Sequence, residues 1–217
     1  MDFSFMQDYY GFFIDGTLIT LQLSFFGVAF GVIIGVIIAL MKLSKNILTK
    51  SFATAYIEVL RGTPLLVQLY IIYYGLPRLT GIDFEDITLG IVAISINSAA
   101  YVAEIIRAGI LSIDKGQLEA ARSLGMTQRM AMTSIVIPQA FKNILPALGN
   151  EFIVLIKESA IVSVVGIHDL MYNADTVRGN TYKPFEPLIV AALIYFTITF
   201  ILSKLLALWE RRMRAGD

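Results

Sequence analysis

Five long apolar runs, separated by short polar clusters, organise this chain. They extend from about Gly16 to Met41, Phe52 to Leu76, Thr88 to Leu111, Ile135 to Val165 and Leu188 to Trp209. A helix needs roughly 20 apolar residues to cross a hydrocarbon core of about 30 Å. Each run meets that length, so the pattern predicts an all-α integral membrane protein of five transmembrane helices, in a single domain over 1–217. An aromatic and acidic piece at about 1–15, containing F-S-F-M-Q-D-Y-Y-G-F-F, precedes the first run. It reads as an interfacial anchor, because tyrosine and related rings favour the headgroup level, with a lid or docking surface as the alternative. The longest internal link, at about 112–134, lies between the third and fourth runs.

The cations around these runs alternate. Lys42, Lys45 and Lys50 follow the first run, Lys115, Arg122 and Arg129 occupy the long link, and Arg211, Arg212 and Arg214 sit in the tail. The other ends are poorer in cations. Asp2, Asp8 and Asp15 precede the first run, Arg78 stands against Asp83, Glu85 and Asp86, and Arg178 and Lys183 follow the fourth run. Cytoplasmic loops carry the excess of Lys and Arg. The pattern therefore predicts an N-terminus outside and a C-terminus in the cytoplasm.

Composition agrees with a membrane chain: 57% hydrophobic, 16% charged and a mean hydropathy of +0.73. A soluble domain is nearer 45–50% apolar and about 25% charged. Lys plus Arg equals Asp plus Glu at 17 each, which points to no nucleic-acid partner. There is no cysteine for a disulfide or thiolate site, and His168 alone cannot build a histidine metal centre. No cofactor or metal is therefore expected on this chain. The first 41 residues lack Lys and Arg, so no cleavable leader is expected. No G-x-x-x-x-G-K-[ST] loop and no nucleophile–base triad occur, so no catalytic residue is expected either.

The charges inside the runs carry the candidate chemistry. An ionisable residue at the bilayer centre costs roughly 2.5–3.5 kcal/mol and normally faces a bundle interior or a wet cavity. The motif E-x-x-R occurs twice, as Glu58–Arg61 and Glu104–Arg107. Residues three apart share a helix face, so each pair can close its own salt bridge. Counted from the inner ends of two oppositely directed spans, both carboxylates sit roughly 9–11 Å above the cytoplasmic interface at about 1.5 Å per residue. They are expected to face one cavity, with Arg107 reaching down to water and leaving Glu104 partly unpaired. Asn97, Tyr101 and Glu104 share a face of the third span. These charges read either as structural ion pairs or as a cage for a cationic group, and the spacing leaves both open.

The second and fourth runs carry breakers. Gly62-Thr63-Pro64 predicts a kink in the second, beside protein or a cavity where irregular backbone is tolerated. Pro138 and Pro146 predict kinks at the start of the fourth, and Lys157-Glu158-Ser159 interrupts its far half. Ser159 and Ser163, with Gly166 beyond, frame either an unwound segment whose N–H groups receive a carboxylate, or hydroxyls bonded back to their own helix. Gly27, Gly31 and Gly35 in the first span form a small-xxx-small stripe for close approach of another helix, read first as packing within the subunit, with a dimer interface as the alternative.

The long link contains a short helix by its signals. Asp114 is the N-cap, Leu118, Ala121 and Leu124 fall at helical spacing, and Gly125 supplies a left-handed C-terminal residue. Its Glu119-Ala120-Ala121, then three residues, Gly125, then nine residues, then Ile135-Val136-Ile137-Pro138 resembles the E-A-A motif of ABC importer permeases, E-A-A-x3-G-x9-I-x-L-P, departing only at Ile137. The stretches at Ile57–Gln68, Asn97–Ile110, Ile137–Asn150 and Lys157–Gly166 also resemble the polar amino acid branch of that family. The resemblance covers about Gly16 to Trp209.

It implies a permease subunit of the type I importer kind in a prokaryotic cell membrane, embedded in lipid and doing no bond chemistry. It implies a second permease copy or close paralogue, two ATPase subunits holding ATP and Mg, and an extracytoplasmic amino-acid-binding protein. Glu119, Ala120, Ala121 and Gly125 would then couple to the ATPase. Glu58, Asn97, Tyr101, Glu104, Glu151, Ser159 and Ser163 are the candidates for substrate contact. The acids Glu58, Glu104 and Glu151 favour a basic amino acid such as arginine, lysine or histidine over glutamine. The rival readings of another class are an ATP-independent secondary transporter and a channel.

Overall fold

A computed structural model of the chain describes residues 1–214; the side chain of Arg214 and residues 215–217, at the end of the cation-bearing tail, lie outside the described residues. All regular structure among the described residues is helical. Helices α1 (Met6–Lys42), α2 (Ile47–Gly62), α3 (Leu65–Thr80) and α4 (Asp86–Leu111) form the first half. Then come α5 (Lys115–Ser123), α6 (Gln128–Ala131), a π-helical turn (Met132–Val136), α7 (Ile137–Glu158), a 3₁₀ segment (Ser159–Val165), α8 (Leu170–Thr181) and α9 (Glu186–Arg214).

Three helices, α1, α4 and α9, are individually long and apolar enough to cross a membrane. The second apolar run is not one straight span. It divides into α2 and α3, which meet at a 107° bend. The kink expected at Gly62-Thr63-Pro64 is thus a corner. Pro64 lacks an N–H and pushes Thr63 out of helical geometry, to φ −117° and ψ 146°.

The core sits where α1, α3, α4 and α7 converge, around Leu23, Leu69, Ala93, Ile94, Leu155 and Val162. The most extensive pairing is α1 on α4, and the glycine stripe makes it possible. A Cβ at Gly27 would stand 2.5 Å from Ile94 Cγ2, and one at Gly35 would stand 2.6 Å from Val102 Cγ1 and 2.9 Å from the Ala99 carbonyl oxygen. The stripe packs inside the subunit, against α4, the first of the two readings its spacing allows.

The fourth run is wound throughout. Pro138 has no N–H for the carbonyl one turn back and its ring crowds that carbonyl. The chain answers by widening: Ile137 N–H bonds to Met132 O, five residues back, in a π turn. Beyond α7 the backbone tightens to 3₁₀ and stops at Gly166, whose φ of 88° is left-handed. The unwound segment entertained for Ser159–Ser163 is absent.

The link helix follows its signals. Asp114 accepts from Gly116 N–H at 2.6 Å, and Gly125 has φ 86°. Ala121 is buried and Leu118 half-buried, but Leu124 is 85% exposed. Leu124 is the C-cap residue, already turning away, so the expected three-residue apolar face is two residues long.

The N-terminal segment is more than a lipid anchor. Phe5 and Phe13 are buried against Leu170, Ala174 and Val177 of α8. Lys183 donates to Asp2 Oδ2 at 2.5 Å and lies over the Phe5 ring, fastening the segment to the α8–α9 link.

Candidate functional site

A polar cavity of about 510 Å³ opens between the end of α1, the last turns of α2 and the middle of α4. Lys42, Glu58, Arg61, Gly62, Tyr101 and Glu104 line it, with Ile57 at its wall. Three sequence-predicted residues, Glu58, Tyr101 and Glu104, therefore meet at one site. Their position follows from local structure. The Asn46 side chain caps α2 through Leu48 and Thr49 N–H groups and fixes where that helix starts. Tyr56 OH donates to the Ile96 carbonyl at 2.7 Å and pins α2 to α4.

Of the two expected E-x-x-R pairs, Glu104–Arg107 closes and Glu58–Arg61 does not. Glu104 is doubly held. Arg107 Nε donates to Glu104 Oε1 at 2.7 Å, with Nη2 also in contact, and Lys42 Nζ donates to Oε2 at 3.3 Å. Arg107, about a third exposed, stays bonded to Glu104, and Lys42 at the end of α1 completes a three-charge cluster, so Glu104 is not left partly unpaired. Glu58 and Arg61 form no ion pair. The Arg61 guanidinium instead lies 5.3 Å from the centroid of the Tyr101 ring, a cation–π stack. Glu58 is exposed to the cavity and makes no ion pair among the described residues.

The remaining candidates lie elsewhere. Asn97 is buried, and its Nδ2 donates to Gln68 Oε1 at 2.9 Å. Gln68 Nε2 in turn reaches Leu60 O at 2.7 Å, Thr63 Oγ1 at 2.9 Å and Thr63 O at 3.1 Å. Asn97 and Gln68 thus clamp the α2–α3 corner, whose carbonyls have no helical partner. Ser159 Oγ donates to Ile156 O at 3.0 Å and Ser163 Oγ to Ala160 O at 2.7 Å. Both hydroxyls turn into their own helix, and neither lines the cavity. Glu151 is 9% exposed and accepts from Ser98 Oγ at 3.2 Å, between α7 and α4. It does not line the cavity either. Glu119 and Ala120 are exposed at the surface of α5, where Glu119 and Leu118 border a second, mostly apolar groove.

Sequence reasoning missed one buried polar centre, at the start of α8. Asp169 is fully buried and caps α8 by accepting from Tyr172 N–H at 2.9 Å, with Tyr195 OH 3.4 Å from its other oxygen. Thr20 of α1 accepts from Leu170 N–H at 3.1 Å beside it, and Asn173 donates to Phe12 O. Burial pushes the Asp169 carboxyl up to about 6. The cap signal, an Asp before a helical run, was present in the sequence; its burial against α1 and α9 was not. At the surface nearby, the Lys183 ammonium holds the Asp2 carboxyl well below its ordinary range.

Comparison with known proteins agrees with this architecture. A solved amino acid ABC transporter with histidines has a chain 57% identical to this one, with a TM-score of 0.93, over 98% of this chain and 99% of that one. The arginine transport system permease protein ArtQ of Bacillus subtilis (strain 168) is 45% identical over 217 residues, 100% of this chain and 99% of its own length. The putative glutamine transport system permease protein GlnP of Rickettsia bellii (strain RML369-C) is 48% identical over 202 residues, 93% of each chain. Residues 31–215 match the family model described as the binding-protein-dependent transport system inner membrane component. The chain belongs to that family of multi-pass inner-membrane permeases.

Proposed function

We propose that this chain is the permease subunit of an ATP-driven importer of polar amino acids, favouring basic ones. The observation that carries the reading is the charge balance of the cavity. Of its four charged groups, Glu104 and Lys42 are already paired, which leaves Glu58 and Arg61 facing the opening. A free amino acid brings an ammonium and a carboxylate, and these two residues complement it. Glu58 accepts from the cationic group and Arg61, held on Tyr101, receives the carboxylate. The relative named for arginine and the solved transporter with histidines favour a cationic side chain. The relatives named for glutamine favour a second reading, in which Glu58 and Arg61 read only the zwitterion and the side chain is uncharged.

In this reading the chain crosses the membrane five times, with α2 and α3 as one bent crossing and α7 as the fourth. The N-terminus lies outside and the C-terminus in the cytoplasm. The chain works with a second copy or close paralogue, two ATPase subunits carrying ATP and Mg, and an extracytoplasmic binding protein. Glu119, Ala120, Ala121 and Gly125 of the α5 region meet the ATPase, where exposed Leu124 offers an apolar contact. The permease hydrolyses nothing itself. Binding of ATP by the partner moves α5, and α5 moves the spans in an alternating-access cycle. The test is co-purification with the cognate ATPase followed by a screen of amino acids for stimulation of hydrolysis. Stimulation by arginine, lysine or histidine supports the reading; hydrolysis that ignores every amino acid contradicts it.

A further inference from the structure

Two cations share the Glu104 carboxylate, and they hold it unequally. Arg107 grips Oε1 through both Nε and Nη2, from three residues along the same helix. Lys42 makes one contact, Nζ to Oε2 at 3.3 Å, and comes from another helix on a flexible four-carbon stem. A strong bond from a cation to a carboxylate runs nearer about 2.7–2.9 Å, so Lys42 is the more easily exchanged of the two. Both side chains are 19% exposed and line the open cavity, within reach of a solute. Among the described residues, Oε2 accepts from Lys42 alone. Lys42 is also the last residue of α1. The final carbonyls of a helix lack helical donors and carry partial negative charge, so a displaced ammonium has a second place to rest.

We propose that Lys42 is a tethered competitor for the solute's cationic side chain, leaving Glu104 Oε2 when a basic amino acid enters and reclaiming it when the solute departs. The proposal deepens the importer reading and rests on it. With the α-carboxylate on Arg61 and the α-ammonium on Glu58, the side chain is left to meet Glu104. An incoming ammonium or guanidinium replaces one cation by another, so the carboxylate stays paired throughout. Without Lys42, departure of the solute would strand a charged oxygen inside the membrane, which holds the solute back. A transport site has to bind its solute and then let it go. Lys42 weakens the hold on basic solutes and supplies the replacement cation at the moment of release. A neutral side chain cannot take part in the exchange and leaves Lys42 where it is.

The test is equilibrium binding of radiolabelled arginine to the permease–ATPase complex in lipid nanodiscs, without the binding protein, so that the affinity of the permease alone is read. Unlabelled citrulline, which has arginine's shape without its charge, serves as the competitor. K42M removes the tethered cation and leaves Arg107 on Glu104. It should tighten arginine binding about fivefold, shift citrulline by less than about twofold, and slow ATP-driven arginine uptake when the binding protein is restored. K42R, whose planar fork suits a carboxylate better, should weaken arginine binding by about threefold. A residue that only supports the fold gives the other pattern: K42M weakens both ligands alike and K42R restores the parent. That result overturns the exchange and leaves the importer reading standing. A parent complex that binds citrulline but not arginine overturns the basic-solute reading and this proposal with it.

Discussion

Glu58 and Glu104 carry the same residue type and the same E-x-x-R spacing, yet their surroundings separate them. Glu104 anchors two cations from α1 and α4. Glu104→Gln should lower thermal stability of the detergent-solubilised protein by about 1–3 kcal/mol, because two cations lose their acceptor in a partly screened setting. Glu58→Gln should leave stability unchanged and reduce uptake about tenfold, the loss of one modest charge-assisted contact to the solute. An equal stability loss in both variants would return Glu58 to a structural role. Asp169 gives a pH prediction. The ordinary carboxyl value is about 3.9, and burial raises it to about 6 in the folded chain. Between these values the folded state holds a proton that the unfolded state has released. The stability from protonated Asp169 is therefore full below about pH 4 and is lost as pH rises towards about 6. Asp169→Asn keeps an N-cap side chain but not the titration. Compared with the parent in thermal unfolding, it should gain roughly 2–3 kcal/mol between about pH 4 and pH 7; a constant difference across that range would rule the buried carboxyl out as the source.

At the scale of elements, two contacts fix the frame of the cavity. The glycine stripe sets the α1–α4 distance, and with it how Lys42 reaches Glu104. Gly35→Ala places a methyl group against Val102 and the Ala99 carbonyl, so it should cost about 1–3 kcal/mol. Gly62→Ala, with nothing within 4 Å, should be close to neutral in the same unfolding assay. The Gln68–Asn97 clamp fixes the corner between α2 and α3. Gln68→Ala strands the Asn97 amide and the Leu60 and Thr63 carbonyls and should cost about 1–3 kcal/mol. The legibility of these features in the sequence divides along physical lines. Local signals were readable: Asp114 and Gly125 bound α5, and the stripe at intervals of four announced close packing. The corner was visible as Gly62-Thr63-Pro64, but its 107° was not, since the angle is fixed by Asn97 from another helix. The i,i+3 rule likewise gave Arg107 to Glu104 and could not see Lys42 arriving from α1. Serine hydroxyls at 159 and 163 had two physically sound partners, and only the 3₁₀ winding decides for their own backbone.

For the molecule as a whole, the sequence pattern and the helical architecture agree on a membrane permease, and the cavity supplies the chemistry. The cavity at α2 and α4 needs a protein or aqueous neighbour, because lipid satisfies neither charge nor hydrogen bond. The central claim is that this cavity passes a basic amino acid under ATP control. Its most direct test is competition for radiolabelled arginine uptake in proteoliposomes holding this chain, its ATPase and its binding protein. The account predicts ATP-dependent uptake in which unlabelled arginine and lysine compete strongly and glutamine weakly. Glutamine competing while lysine and arginine fail would contradict it.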